Sequence, residues 1–401
     1  MGPFTINSDG KTLSARQVRW NEKANVVYLE SPVGVGFSYS STNNYACSDD
    51  RTAQESMQAL NVFFNLKFPE LKKNPLFITG ESYAGIYVPT LAEAILNAVK
   101  DGSWQGAPLT GIAVGNGCSG TEVGICGSGS QGTYSEWSYL IQTPFVSADL
   151  KARVNNECDW AAAAKGEKNA LSFSCVALLN EASDAISNVN LYNIYGDCVN
   201  GGCTNSEGAP RGKVPMRPAL VIQDPNGGTQ RRLQRIIPGG PDACIDSTLA
   251  SAYINQPEVI AAIHVKPTDH CWSVCATQPG WSYNSTRTNL PRDTYPYLIA
   301  NIRVVVYNGD WDACVPYTDG ELWTSGMGLP VKKAWHAWKY TSLNGNTNQV
   351  AGYATEYDVS QLSTKGSFEF ITIKGGRHEA PETAPAQSLE MIQRLINGDV
   401  F

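Results

Sequence analysis

The sequence predicts an α/β protein: a central, mostly parallel sheet flanked by helices and interrupted by a disulfide-rich helical and loop insertion. Two observations predict it. Short, continuously apolar runs alternate with helical patterns at both ends of the chain, while the middle is rich in Gly, Pro, Ser and Cys. Nine of the eleven cysteines fall between positions 118 and 292, so the insertion is where disulfides concentrate. Continuous rather than alternating apolarity marks strands covered on both faces, as in a parallel sheet.

In chain order, residues 25–30, 76–79, 109–114, 303–307 and 368–373 have this character and are expected to be buried strands. Between them Ala53, Met57, Leu60 and Phe64 recur at helical spacing, as do Leu389, Ile392 and Ile396, closed by Gly398 just past the helix end. Alternation of strand and helix implies helices layered on a sheet. Residues 1–117 and 293–401 are expected to form the core, and 118–292 a lid-like insertion over one sheet edge. Inside it, Arg211, Lys213, Arg217, Arg231, Arg232 and Arg235 lie among many Gly and Pro, an exposed loop in which Arg231-Arg232 is a candidate processing site.

Composition narrows the function. With 401 residues, 42% apolar and 17% charged, the chain is neither disordered nor a coiled coil. A net charge of -7 and the lack of a long Lys/Arg run argue against nucleic acid as a partner. No apolar run approaches the roughly 18 residues needed for a helix across a membrane. Eleven cysteines, 10 tryptophans and 18 tyrosines, with one glycosylation triplet at Asn284-Ser285-Thr286, read as a secreted or lumenal protein. The chain opens Met1-Gly2-Pro3-Phe4, without the basic and apolar regions of a signal peptide.

Gly80-Glu81-Ser82-Tyr83-Ala84-Gly85 contains G-x-S-x-G. A strand candidate runs into it and a helix-compatible stretch, 86–99, runs out, the setting in which a tight turn lifts a nucleophilic serine above a sheet edge. The Tyr83 amide is then placed to donate to an oxyanion. Such a serine needs a base and an orienting acid. Of the four histidines, His378 follows the last strand candidate, where such a base belongs, and His336 sits among Trp335, Ala337 and Trp338 as a packed residue. His264 and His270 lie near Cys271 and Cys275, but in a disulfide-rich chain no metal is expected there, nor any cofactor. Asp310 and Asp312 both follow the strand at 303–307, and spacing alone leaves the choice open; one of the pair is expected to bind loop amides.

At this point the chain resembles the serine carboxypeptidases, α/β-hydrolases that include cathepsin A and the plant and yeast vacuolar enzymes. The resemblance is carried by Gly2-Pro3-Phe4, Trp20-Asn21, the run from Leu29 to Ser40, Gly80 to Gly85, Asn255 to Val259, Tyr307 to Asp312, Gln349 to Tyr353 and His378 to Pro381. It implies an α/β-hydrolase fold with Ser82 as nucleophile, His378 as base, Asp312 as orienter and the Tyr83 amide in the oxyanion hole. It implies removal of single residues from peptide or protein C-termini at acidic pH, with Glu81 binding the terminal carboxylate through a shared proton. It also implies a vacuolar, lysosomal or extracellular site of action. Dimers occur in the family, so a homodimer is allowed, although no stretch of the sequence reads as an interface. Relatives that became acyltransferases tend to read Gly-Asp-Ser-Tyr-Ser-Gly at the elbow, so Glu81 and Ala84 count against that alternative.

Three departures accompany the resemblance. Gly2-Pro3-Phe4 matches just after a family segment resembling Asn-Gly-Gly-Pro-Gly-Cys-Ser-Ser, which supplies a second oxyanion amide, carboxylate-gripping side chains and sheet strands. Its absence from the chain suggests a truncated sequence and leaves a catalytically impaired fragment as a third reading. By the resemblance the cysteine of that segment bonds Cys275, making Cys275 the candidate orphan, with Cys314 its rival and Cys198–Cys244 a lid disulfide. Second, Arg377 replaces the usual Gly before the histidine, and is expected to strain the turn or to lower the pKa of His378 by like charge. Third, Glu379 follows the histidine where several relatives carry Met, a substrate-pocket residue expected to favour basic side chains near the scissile bond.

Overall fold

The computed structural model describes residues 1–187, 189–197, 246–266, 271–274, 277–363 and 365–401, with the backbone alone of Val221–Gln223 and Gln230–Arg232. Its centre is a six-stranded sheet built from β1 (Leu76–Glu81), β2 (Leu109–Gly115), β3 (Arg303–Gly309), β4 (Val331–Tyr340), β5 (Gln349–Tyr357) and β6 (Ser367–Ile373), in the order β4-β5-β6-β3-β2-β1. Pairs β1–β2, β2–β3 and β3–β6 are parallel, while β4–β5 and β5–β6 are antiparallel. The carboxyl ends of β1, β2, β3 and β6 therefore open on one edge of the sheet, where ligands bind in open α/β folds.

Both faces are covered, which is why these strands read as continuous apolar runs. On one face Ile112, Val114, Val304, Val306, Phe368 and Phe370 pack against Ile86, Val88 and Ala92 of α2 (Ala84–Asp101). Their alternate neighbours Ala113, Val305, Tyr307, Ile371 and Ile373 pack on the other face against Met391, Ile392 and Leu395 of a C-terminal helix, Pro385–Asn397. That helix ends at Gly398 in the left-handed conformation, φ 79°, the stop its sequence predicts. The Ala53 pattern becomes α1 (Asp49–Val62), capped by Ser48, and Phe64 continues it in one wider turn.

Within 118–292 the described residues form mainly helices: α3 (Ser130–Leu140), α4 (Ala148–Glu157) and α5 (Phe173–Ala185) close on a core of their own that includes Trp137, Val154, Val176, Leu179 and Leu191. Disulfides Cys118–Cys126 and Cys158–Cys175 tie this region. The core also takes in Ala313, beside the acid loop, so these helices bear on the sheet's functional edge. Among the described residues, no helix is long and apolar enough to cross a membrane.

Residues 25–30 are not a strand. They run as coil, no residue among them donates or accepts a backbone hydrogen bond among the described residues, and Val27, Tyr28 and Leu29 are 50%, 60% and 47% exposed. An apolar β-rich run becomes a strand only where a neighbour completes its ladder, and none of the described strands pairs with this one. Conversely, β4 was not expected. It is an edge strand, with Lys332, Lys333 and Trp335 exposed and three register shifts against β5, which blurs its periodicity. His336 is half-buried on β4, its ring nitrogens 2.8 Å from Ala334 O and 3.0 Å from Phe401 O.

Candidate active site

β1 delivers the chain to Ser82, and α2 begins two residues later. Ser82 has φ 63°, a left-handed conformation rare for a side-chain-bearing residue and costly unless the surroundings impose it. They do so by close packing at the flanking glycines. A Cβ on Gly80 would sit 2.5 Å from Ala84 Cβ, and one on Gly85 would sit 2.2 Å from the carbonyl oxygen of Cys118. Ser82 N–H donates to Gly115 O at 3.0 Å, and Ser82 O accepts from Gly85 and Cys118 at 2.9 and 3.0 Å. The Tyr83 amide, just ahead of α2, donates no hydrogen bond among the described residues. The Tyr83 hydroxyl is anchored away from it on buried Asp49 (3.0 Å) and Ser285 (2.8 Å).

The loops after β3 and β6 meet because those strands are paired in parallel. His378 Nδ1 lies 2.7 Å from Asp312 Oδ2, with Asp312 fully buried and His378 2% exposed. The Asp312 carboxylate also accepts from Cys314 N (2.9 Å), Val315 N (3.1 Å) and Asn116 Nδ2 (2.8 Å). His378 N–H donates to Tyr192 O at 2.8 Å, and the Tyr192 ring meets the imidazole edge-on, with centroids 4.7 Å apart. Nε2 of His378 is buried without a hydrogen-bond partner, so its bond to the Ser82 hydroxyl is not formed in this state. Such bonds commonly tighten only with substrate in place.

Asp310 takes the other part expected of the pair. Its Oδ1 accepts Gly375 N–H at 2.7 Å, and with Trp311 N→Gly376 O at 2.8 Å it fastens the acid loop to the histidine loop. Burial pushes its pKa up to about 6, against the pull of the Gly375 bond. Gly309 lets the two loops approach, since a Cβ there would lie 2.3 Å from the carbonyl oxygens of Gly376 and Arg377. Asn116, by contrast, is absent from the sequence-derived candidates. Its signal was an Asn between two glycines at the carboxyl end of a buried parallel strand, β2, lying between the strands that carry Ser82 and Asp312.

Glu81 ends β1 and faces the same charges. It is partly exposed as a residue, yet its Oε2 is shut from solvent and has no hydrogen-bond partner. Burial raises its pKa to about 8, with His378 opposing and Glu379 and Asp312 adding. The folded chain then keeps a proton on Glu81 that the unfolded chain sheds near 4.5, so stability falls as pH rises between those values. Glu81→Gln should therefore leave the denaturation midpoint little changed near about pH 4 and raise it near about pH 7.5. An equal shift at both would show that Glu81 carries no displaced proton.

Burial disfavours the charged form of His378, but Asp312, with Glu81 and Glu379, outweighs it and lifts the pKa to about 9. The strain expected of Arg377 is not found: its φ is not positive, the left-handed position in this loop being Gly375 at 74°. The guanidinium is engaged elsewhere, with Nε 3.1 Å from Glu379 Oε2 and a further ion pair to Glu382. Glu379 is thus ion-paired within the chain, on the wall of a cavity of about 230 Å³ that Arg16, Tyr28 and Glu382 also line.

The remaining candidates are scattered. Asn284 is exposed on a short strand, Ser282–Asn284, beside Ala46–Ser48. Cys314 lies half-buried on the acid loop with its N–H on Asp312, and Cys47, which the sequence did not single out, is a buried free thiol. Cys198, Cys244, Cys275 and His270 lie outside the described residues, as do the side chains of Arg231 and Arg232. Among the described residues, no group of three or more His, Cys, Asp or Glu is placed to hold a metal.

The serine carboxypeptidase family model matches residues 1–398. The chain belongs to that family. It is 31% identical to the lysosomal protective protein of Mus musculus over all of this chain and 80% of that one. It is 30% identical to serine carboxypeptidase-like 21 of Arabidopsis thaliana over 99% of this chain and 80% of that one. Its fold is like that of Kex1(delta)p, a prohormone-processing carboxypeptidase from Saccharomyces cerevisiae, with a TM-score of 0.66 and 19% identity over 100% of this chain and 79% of that one. This is the α/β-hydrolase fold that the resemblance implied.

Proposed function

We propose that this serine carboxypeptidase family member hydrolyses the C-terminal peptide bond of peptides and proteins, with Ser82, His378 and Asp312 as its triad. The reading rests above all on the 2.7 Å Asp312–His378 bond on the same sheet edge as a serine at φ 63°. Ser82 Oγ attacks the scissile carbonyl and its proton passes to His378 Nε2. The Tyr83 amide donates to the resulting oxyanion. Collapse breaks the C–N bond as His378 returns the proton to the leaving amine, and the terminal amino acid departs. Water then attacks the acyl-enzyme with His378 again as base, releasing the shortened chain.

Glu81 makes the enzyme an exopeptidase. With its pKa near 8 it keeps a proton across the acid and neutral range, and that proton is what a terminal carboxylate needs to hydrogen-bond to another carboxyl. The described helices within 118–292 flank the site, with Tyr192 touching His378. Glu379, paired with Arg377, shapes the leaving-group side rather than offering a free charge to basic residues. Disulfides such as Cys118–Cys126 and Cys158–Cys175 fit an oxidising, secretory compartment.

The test uses an N-blocked dipeptide and its C-terminal amide, with products read by mass spectrometry across acid and neutral pH. Release of the terminal amino acid from the free acid, and much slower cleavage of the amide, is the expected result. Acyl transfer to an added alcohol instead of water, or no turnover by protein whose Ser82 reacts with a fluorophosphonate, would overturn it.

A further inference from the structure

We propose that Asn116 is a positioning residue for the catalytic acid, holding Asp312 Oδ2 in place and limiting the charge that it offers to His378. The inference deepens the triad reading and rests on it. Asn116 Nδ2 and His378 Nδ1 donate to the same oxygen, Asp312 Oδ2, at 2.8 and 2.7 Å. The remaining donors, Cys314 N and Val315 N, belong to the acid's own loop, so among the described residues Asn116 is the one other side chain that grips the carboxylate.

The amide is itself fixed. Asn116 is fully buried with φ 41°, and its backbone N–H donates to Tyr307 O at 2.9 Å. Its Oδ1 accepts Gly309 N–H at 3.0 Å, while Nδ2 also reaches Val315 O at 3.1 Å. The orientation is therefore determined by its neighbours: a flipped amide would face Asp312 Oδ2 and Val315 O with oxygen, and the Gly309 N–H with a donor. Asn116 bridges the end of β2 to the loop after β3, and so locates the acid relative to the strand beside the Ser82 elbow.

Asn116 Nδ2, His378 Nδ1 and the Val315 N–H all meet Asp312 Oδ2, so these three donors compete for its charge. Without Asn116, Asp312 would bind the imidazolium more strongly, and His378 would lose its proton only at higher pH. The other ionisable groups around the pair are Glu81 at the end of β1, Asp310 and Cys314 on the acid loop, Arg377 and Glu379 on the histidine loop, Tyr139 on α3 and Tyr192. Substituting Asn116 changes none of them, so a moved limb in the pH profile reports on Asp312 and His378.

The experiment measures the second-order rate of Ser82 labelling by a fluorophosphonate, and kcat/KM for the N-blocked dipeptide, against pH. It uses wild type, Asn116→Gly, which tolerates the left-handed backbone, and Asn116→Asp, which keeps the shape. In the Gly variant the acid limb should move up by about one pH unit and the plateau fall about tenfold. The Asp variant, with two carboxylates in contact, should move further in the same direction. A limb that stays put in a folded variant, whether or not the plateau drops, overturns the inference, since packing alone lowers the plateau without moving the limb. If Asn116→Gly does not fold, the Asn116→Asp profile decides alone. Wild type that takes up no label would overturn the triad reading, and this inference with it.

Discussion

Ser82→Ala is expected to abolish fluorophosphonate labelling and to lower kcat/KM by about 10⁴- to 10⁶-fold, the range found when a serine nucleophile is removed from a triad enzyme. The loss should not come from misfolding. The elbow is set by backbone contacts, Ser82 N–H to Gly115 O and Ser82 O to the amides of Gly85 and Cys118, and none of them uses the hydroxyl. Ala also inherits the backbone problem unchanged, because any side chain at φ 63° pays for the left-handed conformation. Ser82→Gly escapes that cost, so it should be as inactive as Ser82→Ala yet more stable by about 1 kcal/mol, read as a higher urea midpoint. Equal midpoints for the two variants would mean that the elbow stores no strain. Residual turnover within tenfold of wild type would remove Ser82 from the reaction.

The elbow and the covered strands were legible in the sequence because their signals are local. In β3 the alternation of Val304 and Val306 with Val305 and Tyr307 assigns neighbours to opposite faces, and both sets are apolar because helices lie on both sides. The same signature misled at residues 25–30, since an apolar run does not disclose whether a neighbouring strand exists to complete its ladder. The edge hairpin β4–β5 escaped for the opposite reason: exposed Lys332 and Lys333 and its bulges hide a strand that does pair. His378 was found because it follows a strand directly. Asn116 was not, because its partner Asp312 is 196 positions away and only the parallel pairing of β2 with β3 brings them together. Arg377 shows the same limit for charge. Its proximity to His378 in sequence suggested repulsion, whereas Glu379 and Glu382 draw the guanidinium into ion pairs of their own.

The two aspartates give the second large effect, and here the sequence left the alternatives level. Asp312→Asn is expected to lower kcat/KM by about 10⁴-fold, as when the orienting acid of another triad enzyme is replaced by its amide. Asp310→Asn should cost less than about tenfold. The difference follows from the donors that surround each carboxylate. Asp312 is met by four, from His378, Asn116, Cys314 and Val315, and nothing donates from it. An amide there must turn an NH₂ toward at least one of them, and it withdraws the charge that stabilises the imidazolium as Ser82 gives up its proton. At Asp310 the side chain accepts from Gly375 N–H, a bond an amide oxygen can also accept, so the link between the two loops survives. Because burial holds the Asp310 pKa near 6, the wild-type carboxyl is substantially protonated in acid and already tolerates a neutral form there. The two variants, assayed side by side on the dipeptide with thermal midpoints as fold controls, separate the roles. Comparable losses from both, in folded protein, would mean that the histidine takes its orientation from the whole loop rather than from Asp312.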